Sequence, residues 1–425
     1  MELYKHQKEA LENTKEKNRV AFFHDMGLGK TFTGAEKLKR LGGRINLIVC
    51  QKSKIDDWVE HFVNVLNLGN NTFDLTTKLG LNAFVWEARA EDFKIDPIIG
   101  IINYDLIIRR PELQTIKFDT LMLDESSQIK NDTAKRTKAI LKFKTLNVIL
   151  LSGTPTGGKY EELYSQMKLL GWNITKTQYW YDFIKTKKIN IGGFSIPIVT
   201  GYKNVGRLKR KMREYGCDFL KTDEVFDLPP QTFTDVKVDA PPEYKKFAKS
   251  KIVEVHDRLF VGDTVLTELL YLRQLCGAYA PEKIKALADI IESTNDRLII
   301  FYNFNNELEE IKKICRELKR PFSQVNGTEK DLSAYEQVVA SVTAIQYQAG
   351  ACGLNLQLAN KLIYFSPPLS SELYEQSKKR IHRLKQTRPC FYYRLICKNS
   401  VETKIYEVLE TRHDYTEALF KKGGF

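Results

Sequence analysis

The chain has 425 residues, of which 43% are hydrophobic and 28% charged, and its formal net charge is +13. That much apolar material excludes a disordered chain, and the length suits roughly two to four domains. A positive surplus of this size favours a polyanionic partner, most often nucleic acid. No run approaches the ~20 apolar residues a membrane span needs. The N-terminus, MELYKHQKEA, has no apolar core of signal-peptide type. The seven cysteines are scattered with no CxxC pair, which predicts reduced thiols, no zinc cluster and an intracellular, cytoplasmic protein.

In chain order, the first strand is VAFF (20–23), followed by the loop HDMGLGKTFTG and a helix-compatible run. Further continuous apolar runs are NLIVC (46–50), PIIGII (97–102), TLML (120–123) and NVILL (147–151). Continuous rather than alternating apolarity marks strands buried on both faces of a parallel sheet. Residues 159–184 read as helical and aromatic. INIGGFSIPIV (189–199) reads as two short arms around Gly192 and Gly193, a hairpin. RLKRKMR (207–213) is strongly basic, either a clamp on a polyanion or a solvated helix face. The four-proline stretch 227–244 predicts an extended linker, and 243–277 a return to helix. Strands then recur at RLIIF (297–301), VTAIQY (342–347), KLIYF (361–365) and FYYRLI (391–396). An amphipathic helix over 306–318 lies among them. Strand–helix alternation in two blocks predicts two α/β lobes with parallel sheets.

The opening loop suits a phosphate site. Gly27 and Gly29 allow a tight turn that aims amide N–H groups at phosphate oxygens, at the N-terminus of a helix. Lys30 can reach the outer phosphates and the Thr31 hydroxyl can hold Mg²⁺. His24 stands where the full pattern has its first glycine. TLML ends in Asp124 and Glu125, an acid for the metal and a second carboxylate to polarise water. Gln7 offers an amide suited to an adenine edge. LSGTP (151–155) ends another strand with two hydroxyl residues, Ser152 and Thr154, placed to couple the acids to the rest of the molecule. Phosphoryl transfer also needs arginine. A helix over 375–386 would put Gln376, Arg380 and Arg383 on one face, giving an ATP site shared between two lobes.

In this order the pieces resemble the Swi/Snf-type branch of superfamily-two helicase-like ATPases, nearly end to end. HQKEAL is similar to that family's adenine motif and DMGLGKT to its phosphate loop. VCQKSKIDDWVEHF, with Trp58, INYDL, LSGTP, QAGACGLNLQLAN and QSKKRIHRLKQ resemble its further motifs. The tail 400–420 resembles its closing brace helix. Ser127 departs from the family's histidine after the acids, and Cys352 from a glycine. The nearly bare motor resembles small members from phages or mobile elements, acting in a bacterial or phage-infected cell.

The resemblance implies two RecA-like lobes flanking an ATP cleft, with helical insertions. Lobe 1 would run over 1–226 with an insertion at about 157–215. Lobe 2 would run over 227–425 with a protrusion at about 241–280 and the brace helix. It implies ATP and Mg²⁺ as cofactors, with Met26, Gly27, Leu28 and Gly29 joining Gln7, Lys30, Thr31 and Asp124 around them. Ser152, Thr154, Gly353 and Gln376 would couple the nucleotide to motion. Lys52, Ser53, Lys54, Asn103, Tyr104, Asn303, Gln348 and Asn355 would face DNA. The implied activity is that of a monomeric translocase on double-stranded DNA, including forked or branched DNA. A strand-separating helicase and a fork-remodelling or annealing enzyme are the alternatives.

Overall fold

The computed structural model describes every residue except 1, 91–95, 192–193, 256–257, 351–353 and 421–425. The chain forms two units, Met1–Val225 with Asp414–Phe425, and Phe226–His413. The last twelve residues thus group with unit 1, whereas the resemblance assigns them to lobe 2.

Among its described residues unit 1 carries nine strands: β1 (Arg19–His24), β2 (Ile45–Cys50), β3 (Thr72–Asp74), β4 (Ile98–Asn103), β5 (Thr120–Asp124), β6 (Asn147–Leu151), β7 (Ile184–Ile191), β8 (Phe194–Tyr202) and β9 (Cys217–Leu220). Seven of them form one sheet in the order β3-β4-β2-β5-β6-β1-β9, and every pairing is parallel. Both faces are covered, which is why these strands read as unbroken apolar runs. Successive β1 residues enter opposite cores: Ala21 and Phe23 one, Val20 and Phe22 the other. β5, β6 and β1 are neighbours, so the loops that leave their carboxyl ends converge.

The predicted insertion is helices Tyr164–Leu169 and Lys176–Phe183, then the antiparallel ribbon β7–β8, then helix Val205–Glu214. The expected hairpin forms, although Gly192 and Gly193 themselves lie outside the described residues.

Unit 2 carries β10 (Gln231–Val238), β11 (Ile252–Val255), β12 (Arg258–Val261), β13 (Leu298–Tyr302), β14 (Phe322–Val325), β15 (Lys330–Asp331), β16 (Val342–Gln346), β17 (Lys361–Tyr364) and β18 (Cys390–Cys397). Its main sheet runs β10-β18-β17-β13-β16-β14-β15, parallel except for the last pair. Two expectations change here. The stretch read as a linker contains β10, an edge strand paired with β18 from Gln231↔Cys390 to Val238↔Cys397. The prolines lie before and after this strand, where their missing N–H groups do no harm.

The run 243–277 is not continuously helical. Lys251, at φ +62, closes helix Pro242–Ser250, and hairpin β11–β12 intervenes before helix Val265–Cys276. Val253, Val255 and Phe260 bury against Phe247 and Leu275. The alternation of Ile252-Val253-Glu254-Val255 suits a half-buried strand better than a helix.

Candidate nucleotide site

The turn after β1 is built for an anion. Gly27 and Gly29 have φ of +86° and +70°, a region other residues rarely adopt. Gly29 caps the helix Lys30–Leu41, whose first amide N–H groups have no partner within the helix. A Cβ on Gly27 would point into open space, whereas one on Gly29 would strike the Gln7 amide nitrogen. Gln7 Nε2 donates to the carbonyls of Leu28 and Gly29 at 3.3 and 3.1 Å, and its Oε1 accepts from Tyr4 N at 2.9 Å. This buried amide therefore shapes the loop with the same atoms that the sequence offers to adenine. His6 Nε2 holds the Leu28 carbonyl as well, at 3.0 Å.

Lys30 Nζ donates to the Asp25 carbonyl at 3.3 Å. Gly153, inside LSGTP, closes over this ammonium: a Cβ there would lie 3.3 Å from Nζ, 3.3 Å from Met26 Cγ and 3.4 Å from the His24 carbonyl. The loop is braced from β9 and beyond. His24 Nε2 meets Asp218 Oδ2 at 2.7 Å, and Thr222 Oγ1 donates to Asp25 Oδ2 at 3.2 Å. Burial pushes the His24 pKa down despite the Asp218 carboxylate, and since a carboxylate only accepts, the N–H on Nε2 donates to it.

Asp124 ends β5, and Trp58 Nε1 donates to its Oδ2 at 2.8 Å. Burial raises the Asp124 pKa, while the Trp58 hydrogen bond and the Lys30 and Lys54 charges oppose the rise. Glu125 sits at φ +54°. Ser152 Oγ donates to Glu125 Oε2 at 3.2 Å and accepts from Thr154 N at 3.2 Å. A second thread joins the same two loops: Ser126 Oγ donates to Gln166 Oε1 at 2.8 Å, and Gln166 Nε2 to the Pro155 carbonyl at 2.7 Å. Ser127, where the resemblance expects histidine, is buried.

This donor set fits a nucleoside triphosphate with its metal. Helix-terminal amides and one ammonium suit the phosphates. The Thr31 hydroxyl and the Asp124 carboxylate are hard oxygen ligands for Mg²⁺.

The DNA-facing expectations divide. Lys52 and Ser53 are exposed, and half-buried Lys54 pairs with Asp57 at 2.6 Å. Tyr104 is 3% exposed, and its hydroxyl donates to the Asp124 carbonyl at 2.8 Å. It supports the acid turn and does not face a ligand on the surface, because INYDL continues a buried strand. Asn103 is buried too, its Oδ1 without a hydrogen-bond partner. Of the basic run, Lys209 is buried and Lys211 pairs with Glu214, while Arg207, which pairs with Asp182, is exposed along with Arg210 and Arg213.

In unit 2, Gln348 and Asn355 are exposed. Asn303 Nδ2 donates to Ser366 Oγ at 2.8 Å and to the Pro367 carbonyl at 3.1 Å, a tie within the unit. Gly353 lies outside the described residues.

The helix expected over 375–386 stops at Lys378. Arg380 and Arg383 therefore lie in the turns that follow and share no helical face with Gln376. The competing bonds are tertiary: the Arg380 carbonyl accepts from Leu356 N, His382 Nε2 meets the Pro229 carbonyl, and Gln386 Nε2 donates to the carbonyls of Gln357, Ala359 and Ile381. Arg380 and Gln376 are buried. Arg383 Nη1 donates to the Leu354 carbonyl at 3.3 Å, and burial lowers its pKa.

Trp58, Gly153 and Gln166 are positions at the candidate site that spacing alone does not assign. Trp58 stands in a recognisable motif and Gly153 in LSGTP, but only the fold shows what each touches.

An SNF2-related domain matches residues 6–280, and a helicase conserved C-terminal domain matches residues 282–385. The mouse SWI/SNF-related matrix-associated actin-dependent regulator of chromatin subfamily A member 1 is 22% identical over 94% of this chain and 41% of its own length. The ISWI chromatin-remodeling complex ATPase ISW1 of Saccharomyces cerevisiae is 22% identical over 92% of this chain and 38% of its own. The chain thus spans about two fifths of these relatives. The structure of a Sulfolobus solfataricus SWI2/SNF2 ATPase core in complex with dsDNA aligns over 98% of this chain and 92% of that one. Its TM-score is 0.45 at 21% identity. On the domain match, which covers well over half its length, the chain belongs to the SNF2-related family.

Proposed function

We propose that this chain hydrolyses ATP and uses the energy to translocate along double-stranded DNA. The observation that carries the reading is the convergence of three strand ends in unit 1. The Lys30 loop follows β1, Asp124 and Glu125 follow β5, and Ser152 follows β6 with its hydroxyl on Glu125. A phosphate grip, a metal-binding acid and an oriented carboxylate are what phosphoryl transfer to water needs.

Lys30 and the amides of 27–31 hold the phosphates. Asp124, oriented by Trp58, and Thr31 hold Mg²⁺, which when bound neutralises charge on the phosphate oxygens. Glu125, steadied by Ser152, orients and polarises the attacking water. Arg380 and Arg383, which lie within the match to the helicase conserved C-terminal domain, would supply further positive charge for turnover. The links Glu125–Ser152 and Ser126–Gln166–Pro155 carry a change at the acids into LSGTP. The net charge of +13 and the family relationship support duplex DNA as the track.

The test is the ATPase rate without DNA and with single-stranded, duplex, forked and four-way DNA. Duplex is expected to raise the rate many-fold. Lys30→Ala and Glu125→Gln should abolish it, and Arg383→Ala should lower turnover with nucleotide binding retained. A rate indifferent to every DNA would end the reading, and release of a labelled strand from a fork would replace translocation with strand separation.

A further inference from the structure

The ribbon β7–β8 is the longer of the two two-stranded ribbons among the described residues. Two-stranded hairpins are marginal by themselves in water, yet this one runs for eight residue pairs, from Ile184↔Tyr202 to Ile191↔Phe194. Lys185, Thr186, Lys187, Lys188 and Asn190 on one arm are exposed, and so are Ser195, Ile196, Pro197 and Ile198 on the other. Its root, in contrast, is fixed. Ile184 is 4% exposed, Tyr202 stacks on Tyr160 with centroids 4.3 Å apart, and Tyr202 donates to Glu161 Oε2 at 2.9 Å. Lys203 N donates to the Phe183 carbonyl at 3.0 Å, and Asn204 Nδ2 to that of Asp182 at 2.7 Å. A rigid base therefore presents an arm that buries almost nothing of its own. Core packing does not explain such an arm; an external partner does.

The charge names the partner. From residue 184 to 203 there are four lysines and neither Asp nor Glu. The ammonium groups of Lys185, Lys187 and Lys188 meet no carboxylate among the described residues. Register places the cations on both faces. Lys187, opposite Ile198, shares a face with Ile189 and Ile196. Lys188, opposite Pro197, shares the other face with Thr186, Val199, Asn190 and Ser195. A protein partner would bury one face against itself, and lysine on both faces opposes that. Phosphates lying on either side satisfy it. The B-DNA major groove, about 12 Å wide, admits a two-stranded ribbon, whereas the deep, narrow major groove of duplex RNA does not.

We propose that β7–β8 is a DNA-docking arm that lies in the major groove of duplex DNA, with Lys187 and Lys188 reaching phosphates of opposite strands and Lys185 gripping a further phosphate nearer the root. It rests on the reading that duplex DNA is the track, and it adds a grip outside the helicase motifs, one that steadies the complex without touching the nucleotide.

The experiment compares the wild type with the triple variant Lys185→Ala, Lys187→Ala, Lys188→Ala. Fluorescence anisotropy of a labelled DNA duplex is followed from low to high salt, alongside ATPase titrations with the same duplex. Thermal unfolding and the DNA-free ATPase rate are expected to be unchanged, because these side chains are exposed and lie outside the loops that hold ATP. Duplex affinity at about 0.15 M salt should fall about tenfold, and the log–log salt slope should drop by about one to three, one for each phosphate that a lysine no longer neutralises. The rate at saturating duplex should hold. An unchanged affinity and slope would overturn the proposal, and so would an equal loss of affinity for single-stranded DNA, which has no groove. A lower saturating rate at unchanged affinity would also overturn it, since the arm would then be a coupling element. Failure of the parent reading looks different: the wild type itself would neither bind duplex nor respond to it.

Discussion

Trp58 Nε1 donates to Asp124 Oδ2 at 2.8 Å, so the acid proposed for Mg²⁺ is aimed by an indole on a separate helix, Ile55–Glu60. The ring is buried, stacked on Phe62 with centroids 5.7 Å apart. Trp58→Phe keeps an aromatic ring there and removes the donor. A hydrogen bond to a charged acceptor is worth about 1.5–3 kcal/mol, and the freed carboxylate can rotate. DNA-stimulated turnover should fall about tenfold or more with the fold retained. Steady-state ATPase rates beside circular dichroism would check it, and an unchanged rate would remove Trp58 from the site.

How far the sequence carries depends on how local the cause is. The turn at Gly27 and Gly29 and the acids after β5 are local, because residue type and flanking strands specify them. The parallel sheets are legible for the same reason, since both-face burial leaves unbroken apolar runs. The fate of Arg380 and Arg383 is not local: bonds from Leu356, Pro229 and Gln357 draw the chain out of the helix that spacing alone favours. The same holds for Tyr104, whose hydroxyl reaches a carbonyl twenty residues away. β10 is hidden because its prolines suggest a linker, while its pairing with β18 is set by chain more than 150 residues downstream.

His24 makes unit 1 acid-sensitive. Burial lowers its pKa from 6.5, so the folded state resists protonation more than the unfolded chain does. Below about pH 6.5 the unfolded chain takes up a proton that the folded state declines. Stability is therefore lost as pH falls from 6.5 to the depressed folded value, by about 1.4 kcal/mol per pH unit across that window. His24→Gln cannot titrate and should lack this loss. Hydrogen exchange of the β1 and β9 amides between pH 5.5 and 7.5 would separate the two proteins, and parallel pH profiles would count against the mechanism.

Gly153→Ala tests the closure over Lys30. The added methyl would lie 3.3 Å from both Nζ and Met26 Cγ, tighter than ordinary contact, and both neighbours belong to flexible side chains. They can yield, so the stability cost should be about 1 kcal/mol. The ammonium, however, must leave its position beside the Asp25 carbonyl. The KM for ATP should rise by about tenfold with thermal stability nearly unchanged. A variant with normal KM would show that Lys30 is placed by other contacts.

Lys283 and Glu402 test unit 2 independently of the nucleotide. Lys283 Nζ donates to Glu402 Oε1 at 2.6 Å, and both side chains are buried. Glu402 Oε2 also accepts from Cys397 N at 2.9 Å, which ties the end of β18 to helix Val401–Phe420. Cys276, Cys397 and Glu402 lie close enough to suggest a metal site, but the ammonium already supplies the cation. Glu402→Gln would leave that ammonium buried without its counter-charge, a loss of about 3–5 kcal/mol. Lys283→Met with Glu402→Gln removes both charges and keeps an acceptor for Cys397 N. It should recover most of that stability, because the desolvation cost disappears with the charges. Denaturant unfolding of the three proteins would check it. If the double variant were as unstable as the single one, the pair would matter for its hydrogen-bond geometry and not for its charge.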